Sequence, residues 1–190
     1  MVDMSEIIKS FKKLQTDMDY TKSSLFNAGN CHYFGLIWTR RIARFFAFTS
    51  LIVLAMNKDF LSIFDINQKY VLLTVFIANI LNYIISELSE KIEDFNFQIK
   101  DYKKYGHEIN SLFKESRNTL AIYEDYKAKQ KKYQNFDDLD DYLVFQLQDY
   151  TKKYNSIIEK MPHIAEKHYK KTQKDFAKGT NKYTAEELNS

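Results

Sequence analysis

The chain has 190 residues, with 28 basic and 25 acidic side chains and a formal net charge of +3. That balance lacks the concentrated basic footprint of a nucleic-acid-binding domain, and an aromatic content of 16% is too high for a disordered chain. One Pro and four Gly disfavour strand-and-turn architectures, and a single cysteine, Cys31, excludes an intrachain disulfide.

In chain order, residues 5–35 are expected to form an N-terminal helix. Ser5 is the candidate N-cap, and Ile8, Phe11, Met18 and Leu25 form the apolar face. Only Gly29 and Gly35 interrupt the pattern, so this helix has the means to run on into the next. No secretory leader is expected, because Asp3, Glu6, Lys9, Lys12 and Lys13 leave no apolar core near Met1.

Mean hydropathy is negative, −0.47, yet the apolar residues are clustered. Phe45–Asn57 and Tyr70–Ser86 carry no charge. A spanning helix needs roughly 20 apolar residues, and a run of roughly 10–14 suits a buried core helix equally well. The flanks lengthen both runs. Arg40, Arg41 and Arg44 can extend their guanidinium groups toward headgroups, so a first transmembrane helix is expected over 37–57, about 30 Å long. A second is expected over 69–86. Trp38 and Tyr70 join the three arginines as interface anchors. The connection between the runs, through Lys58 and Lys69, has room for a turn and no domain. Basic residues within roughly 18 positions of the outer ends outnumber those of the linker, which predicts both termini on the cytoplasmic side. The alternative is a soluble bundle with two helices apolar on every face, which a chain this small has little core to hide.

Residues 87–134 are expected to form a long charged helix. Leu88, Ile92, Phe95, Ile99, Tyr102, Gly106, Ile109, Phe113, Ser116, Leu120 and Tyr123 alternate at spacings of four and three, the pattern of a coiled-coil seam. Gly106 and Ser116 are its weak points. After a turn near Asn135 and Phe136, Asp137, Asp138, Asp140 and Asp141 open a helix over 137–161. Its apolar face is Leu139, Leu143, Leu147, Tyr150, Tyr154, Ile157 and Met161. Pro162 is expected to open a last helix over 162–178, followed by a tail over 179–190. The long helix can fold back on the one from Asp137 or assemble with other copies; the pattern permits both. The fold class is therefore all-α: a two-helix transmembrane hairpin with long N- and C-terminal cytoplasmic helices, as one domain over 1–178.

No phosphate-cradling Gly-rich loop, nucleophile elbow or zinc-ligand spacing is present. Cys31 and His32 are only sequence neighbours, and Glu159, His163 and His168 do not share a helix face. No catalytic residue, metal or cofactor is expected. Polar positions inside the apolar runs carry more information. Asn79, Asn82 and Ser86 share one face of the second run, with Thr74 nearby, and Thr49, Ser50 and Asn57 mark the first. In hydrocarbon such side chains face other helices or water. They serve either interhelical bonding within one hairpin or the lining of a pore built from several copies.

Two stretches carry a family resemblance. Thr21, Lys22, Ser23, Ser24, Leu25, Phe26, Asn27 and Ala28 are similar to a Thr-x-x-x-Leu/Arg-Phe-x-Ala pattern, and Phe95–Arg117 contains Tyr102, Gly106, Glu108 and Leu112 at the spacing Tyr-x-x-x-Gly-x-Glu-x-x-x-Leu. With two apolar runs between them, the chain from Phe11 to Tyr169 resembles the SLATT family of two-transmembrane effectors, its fifth subfamily in particular. Pro162-His163 and His168-Tyr169 stand where that pattern has Asn-His and Asp-Tyr. The resemblance implies a non-enzymatic effector of bacterial conflict systems at the inner membrane. It implies a homo-oligomer that permeabilises the bilayer on a signal from a nucleotide-signalling, sensor or reverse-transcriptase partner. The competing reading is a membrane-anchored scaffold that docks a partner through its coiled-coil stem.

Overall fold

The computed structural model describes residues 3–55, 68–129 and 137–179, leaving out the side chains of 53–55, 68–72, 74, 137 and 138. Four helices carry the described chain: α1 (Met4–Ala55), α2 (Gln68–Lys129), α3 (Asp137–Lys160) and α4 (Glu166–Ala177). No strand occurs among the described residues, so the chain is all-helical as its composition implies. The expected linker, the turn at Asn135 and Phe136 and the tail beyond Gly179 lie outside the described residues.

Asp3, and not Ser5, caps α1. The Ser5 amide donates to Asp3 Oδ1 at 2.9 Å, and the Glu6 and Ile7 amides reach the Asp3 carbonyl at 3.1 and 3.2 Å. An N-cap carboxylate one step upstream satisfies the orphan amides as well as a serine would. The bonds from Ser5 hold that carboxyl below its ordinary 3.8. From there α1 runs 52 residues without a break, and α2 runs 62.

The chain forms two compact units, Met1–Gly29 with Lys100–Ser190, and Asn30–Ile99. The first is a four-helix bundle. Its core joins Phe11, Met18 and Leu25 of α1, Ile109, Phe113, Leu120 and Tyr123 of α2, Leu143 and Tyr150 of α3, and Ile164 before α4. Every seam position of α2 from Tyr102 to Tyr123 is buried, and what fills the seam is the same chain. α1 packs antiparallel on α2, with Phe26 stacked edge-on to His107 and Lys12 paired to Glu124 at 3.2 Å. α3 folds back along α2, with Tyr123 donating to Asp140 Oδ1 at 2.6 Å and the Thr119 and Tyr150 hydroxyls 2.9 Å apart.

The two weak points of the seam have positive roles. A Cβ placed on Gly106 falls 3.1 Å from the Phe26 ring, so the glycine is the socket that receives that ring. Ser116 is fully buried and returns its hydroxyl to the Phe113 carbonyl at 2.8 Å. Lys22 is also buried, at 1% exposure. Its Nζ lies 3.0 Å from Asp19 Oδ1, 3.2 Å from Asn110 Oδ1 and 4.3 Å from the centre of the Phe113 ring. An ion buried between two helices is tolerated only with such a partner set.

Pro162 does not open the last helix. Residues 162–165 are non-helical, Ala165 is extended at φ −63° and ψ 142°, and α4 begins at Glu166. The extended stretch buries Ile164 and brings the His163 carbonyl to the Tyr102 hydroxyl, which donates to it at 2.9 Å. Burial of an isoleucine outweighs the N1 preference of proline.

Among the described residues no helix is long and apolar enough to cross a membrane. Met56 and Asn57 lie outside the described residues, as do the side chains of Tyr70, Val71, Leu72 and Thr74.

Two outcomes follow for the bundle. Ile109→Ala, at 0% exposure, should cost about 2–5 kcal/mol in denaturant unfolding. Burial raises the phenols of Tyr102, Tyr154 and Tyr169 above their ordinary 10.0, and Tyr123 is raised by burial and by its bond to Asp140. In the unfolded chain these phenols ionise first, so the unfolded state binds fewer protons. Stability should be flat below pH 10 and fall as pH rises beyond it. Thermal melts across that range check the sign, and Tyr102→Phe should flatten the slope.

Candidate functional site

The second unit, Asn30–Ile99, pairs the latter part of α1 with the first part of α2. Its register is fixed by few contacts. A Cβ on Gly35 falls 3.0 Å from Phe95 Cζ, so a larger residue there would make the phenylalanine ring shift away from α1. The same ring meets His32 with centroids 5.8 Å apart. Arg40 Nη2 donates to Asn96 Oδ1 at 3.4 Å. Further along, Ser50 Oγ donates to Asn82 Oδ1 at 3.4 Å.

The distribution of side chains is the reverse of the bundle's. The buried positions are Leu36, Ser50, Ala78 and Leu81. Outside stand Phe34, Trp38, Phe45 at 67%, Phe48, Leu51, Phe76 at 62%, Ile80 and Tyr83. The inner seam mixes two leucines with Ser50 and Ala78, and many large apolar groups stand on the outer faces. A protein surface in water rarely shows so large a contiguous apolar area. Helix pairs in hydrocarbon show this arrangement, with small residues and hydroxyls between the helices and large apolar groups facing lipid.

Each residue singled out in the sequence has a place. Ser50 and Asn82 meet across the pair. Asn79 and Ser86 are exposed on the same stripe of α2 as Asn82. Thr49 is half-buried and returns its hydroxyl to the Phe45 carbonyl at 2.9 Å, within its own helix. Thr74 and Tyr70 have side chains outside the described set, and Asn57 lies outside the described residues. Trp38 is exposed, with the Arg41 guanidinium 5.5 Å above its ring, and Arg44 is exposed. Cation–π stacking of this kind keeps an arginine beside an interfacial aromatic. The sequence reading missed the Gly35–Phe95 socket and the Arg40–Asn96 bond. Gly35 read as an interruption, although a helical glycine facing an aromatic elsewhere in the chain is a signal of close approach.

Cys31 is exposed. His163 is exposed within the non-helical stretch, and His168 is buried in the first turn of α4. Among the described residues no group of three His, Cys, Asp or Glu could hold a metal ion. A surface groove of about 480 Å³ between α2 and α3 is lined by Glu108, Ser111, Glu115, Lys153 and Ser156 with Leu112 and Ile157, and Ser111 donates to Glu115 Oε1 within it at 3.2 Å. No protein-family model, curated protein or solved structure matches the chain.

The hairpin register is directly testable. In a Cys31→Ser background, Ser50→Cys with Asn82→Cys should form an intrachain disulfide on mild oxidation, seen as a faster-migrating band without reductant. Phe48→Cys with Asn82→Cys should not. Equal crosslinking of both pairs would contradict the register.

Proposed function

We propose that the chain is a membrane effector whose helical hairpin, residues 37–57 and 69–86, inserts into the bacterial inner membrane with both termini cytoplasmic, and which permeabilises that membrane as an oligomer. The observation that carries this reading is the reversed side-chain distribution of the hairpin unit, large apolar groups outward and Ser50 with Asn82 between the helices. The resemblance to SLATT effectors supports the same reading.

The hairpin enters as a pair, which lowers the requirement on each helix. Ser50 and Asn82 satisfy each other, removing part of the penalty of a lone polar group in hydrocarbon. Arg40 reaches Asn96 and Arg41 lies on Trp38, both directed away from the charge-free segments. Asn79, Asn82 and Ser86 form a polar stripe on α2, and two helices enclose no channel, so the stripe lines a lumen only between copies. The bundle remains in the cytoplasm, where a change in its packing sets the state of the hairpins. No reaction chemistry is assigned. The alternative is a membrane-anchored scaffold that docks a partner through the helical bundle and predicts no ion release.

The test is release of a trapped dye or potassium from vesicles carrying the purified chain. Asn79→Leu with Ser86→Ala should reduce release by roughly tenfold or more while the amount of inserted protein is unchanged. These positions leave the Ser50–Asn82 bond intact, so loss of release would point to the stripe and not to a broken hairpin. Undiminished release from the variant would sink the lumen assignment.

A further inference from the structure

α4 is unlike the other three helices in what holds it. It has 12 residues, near the length at which an isolated helix is marginal even with good formers. Its N-cap, Ala165, offers no side-chain hydrogen bond. Lys167, Lys170, Lys171, Lys174 and Lys178 are all exposed and share one helical face at spacings of three and four. Like charges at those spacings weaken a helix, and pairs such as Lys170 with Glu166 at 2.7 Å offset part of that. α4 therefore depends on docking for its structure.

The docking is part apolar, with Tyr169 packed against the core, and part polar. Thr172 is fully buried, with its hydroxyl 3.1 Å from that of Ser24 and accepting from Asn27 Nδ2 at 2.9 Å. One turn earlier His168 is buried too. The Tyr20 hydroxyl donates to the Tyr169 carbonyl at 3.4 Å, and its ring meets Phe176 at 5.3 Å between centroids. Elsewhere the bundle joins its helices through Phe, Leu, Ile and Tyr. Hydrogen bonds exchanged with water contribute little net stability, while apolar burial contributes most of it. α4 can thus undock into water at lower cost than α1, α2 or α3, and the Ser24 and Asn27 side chains it leaves find water in place of Thr172.

We propose that α4 is a releasable clamp on α1. Its undocking, with the α1–α2–α3 core intact, is the step by which the bundle leaves its resting arrangement. The clamp seats on residues 20–27 of α1, the same unbroken helix that continues into the hairpin unit. This proposal rests on the effector reading for its consequence, though its structural half stands without it.

Two measurements on the full chain decide it. The first is hydrogen exchange in detergent micelles. Amides of residues 169–177 should exchange about tenfold or more faster than those of 106–120, with the α2 amides unaffected when α4 opens. Exchange of both segments at one rate would overturn the clamp whatever the membrane behaviour. The second uses a Cys31→Ser background with Ser24→Cys and Thr172→Cys, or Asn27→Cys and Thr172→Cys where the first pair does not fold. Oxidised protein in vesicles should release about tenfold less dye than the same protein after reduction. Equal release in both redox states would overturn the role of undocking. No release in either state, beside fast α4 exchange, would contradict the pore reading and leave the clamp itself standing.

Discussion

Close approach of α1 to α2 at glycine–aromatic sockets is the constraint on which the rest depends. In the bundle Phe26 of α1 lies over Gly106 of α2, whereas a Cβ on Gly29 would meet Tyr102 Cβ at 3.5 Å, an ordinary contact. In the hairpin unit the roles invert, with Phe95 of α2 over Gly35 of α1. A helical glycine costs about 1 kcal/mol relative to alanine, and three of the chain's four glycines are spent inside these two helices. The return is a fixed register. With Phe26 seated on Gly106, Lys22 falls opposite Asn110. With Phe95 seated on Gly35, Ser50 falls opposite Asn82.

Each unit then solves its own solvation problem. The bundle buries aromatics and leucines and keeps charge outside, apart from Lys22 with its carboxylate, amide and ring. The hairpin does the opposite with the same two helices. Because α1 and α2 are continuous, one pair of helices presents a water-compatible surface over one stretch and an apolar one over another. Thr21–Ala28 and Tyr102–Leu112 are the two sides of one interface, at Phe26–Gly106 and Lys22–Asn110.

Much of this was legible in the sequence, and the remainder failed for identifiable reasons. The four-three spacing of Tyr102, Ile109, Phe113, Leu120 and Tyr123 marked the buried face of α2, because a helical face is local information. What covers that face was not legible, since the same spacing suits an oligomeric seam and an intrachain one. Gly106 and Gly35 read as defects because their partners, Phe26 and Phe95, are far away in sequence. The onset of α4 was misread because local proline preference is weaker than the burial of Ile164. The stripe of Asn79, Asn82 and Ser86 was visible from spacing alone, whereas the pairing of Ser50 with Asn82 needs the hairpin register. The length of the apolar helices was read from charge-free runs, parts of which lie outside the described residues.

The central claim is that the hairpin lies in lipid. The most direct measurement is fractionation of cells expressing the full chain, followed by an alkaline carbonate wash of the membranes. The account predicts that the protein stays in the washed pellet and leaves it only with detergent. Recovery in the soluble fraction, or release by carbonate, would contradict it and would assign the outward apolar face of residues 30–99 to contact with another protein.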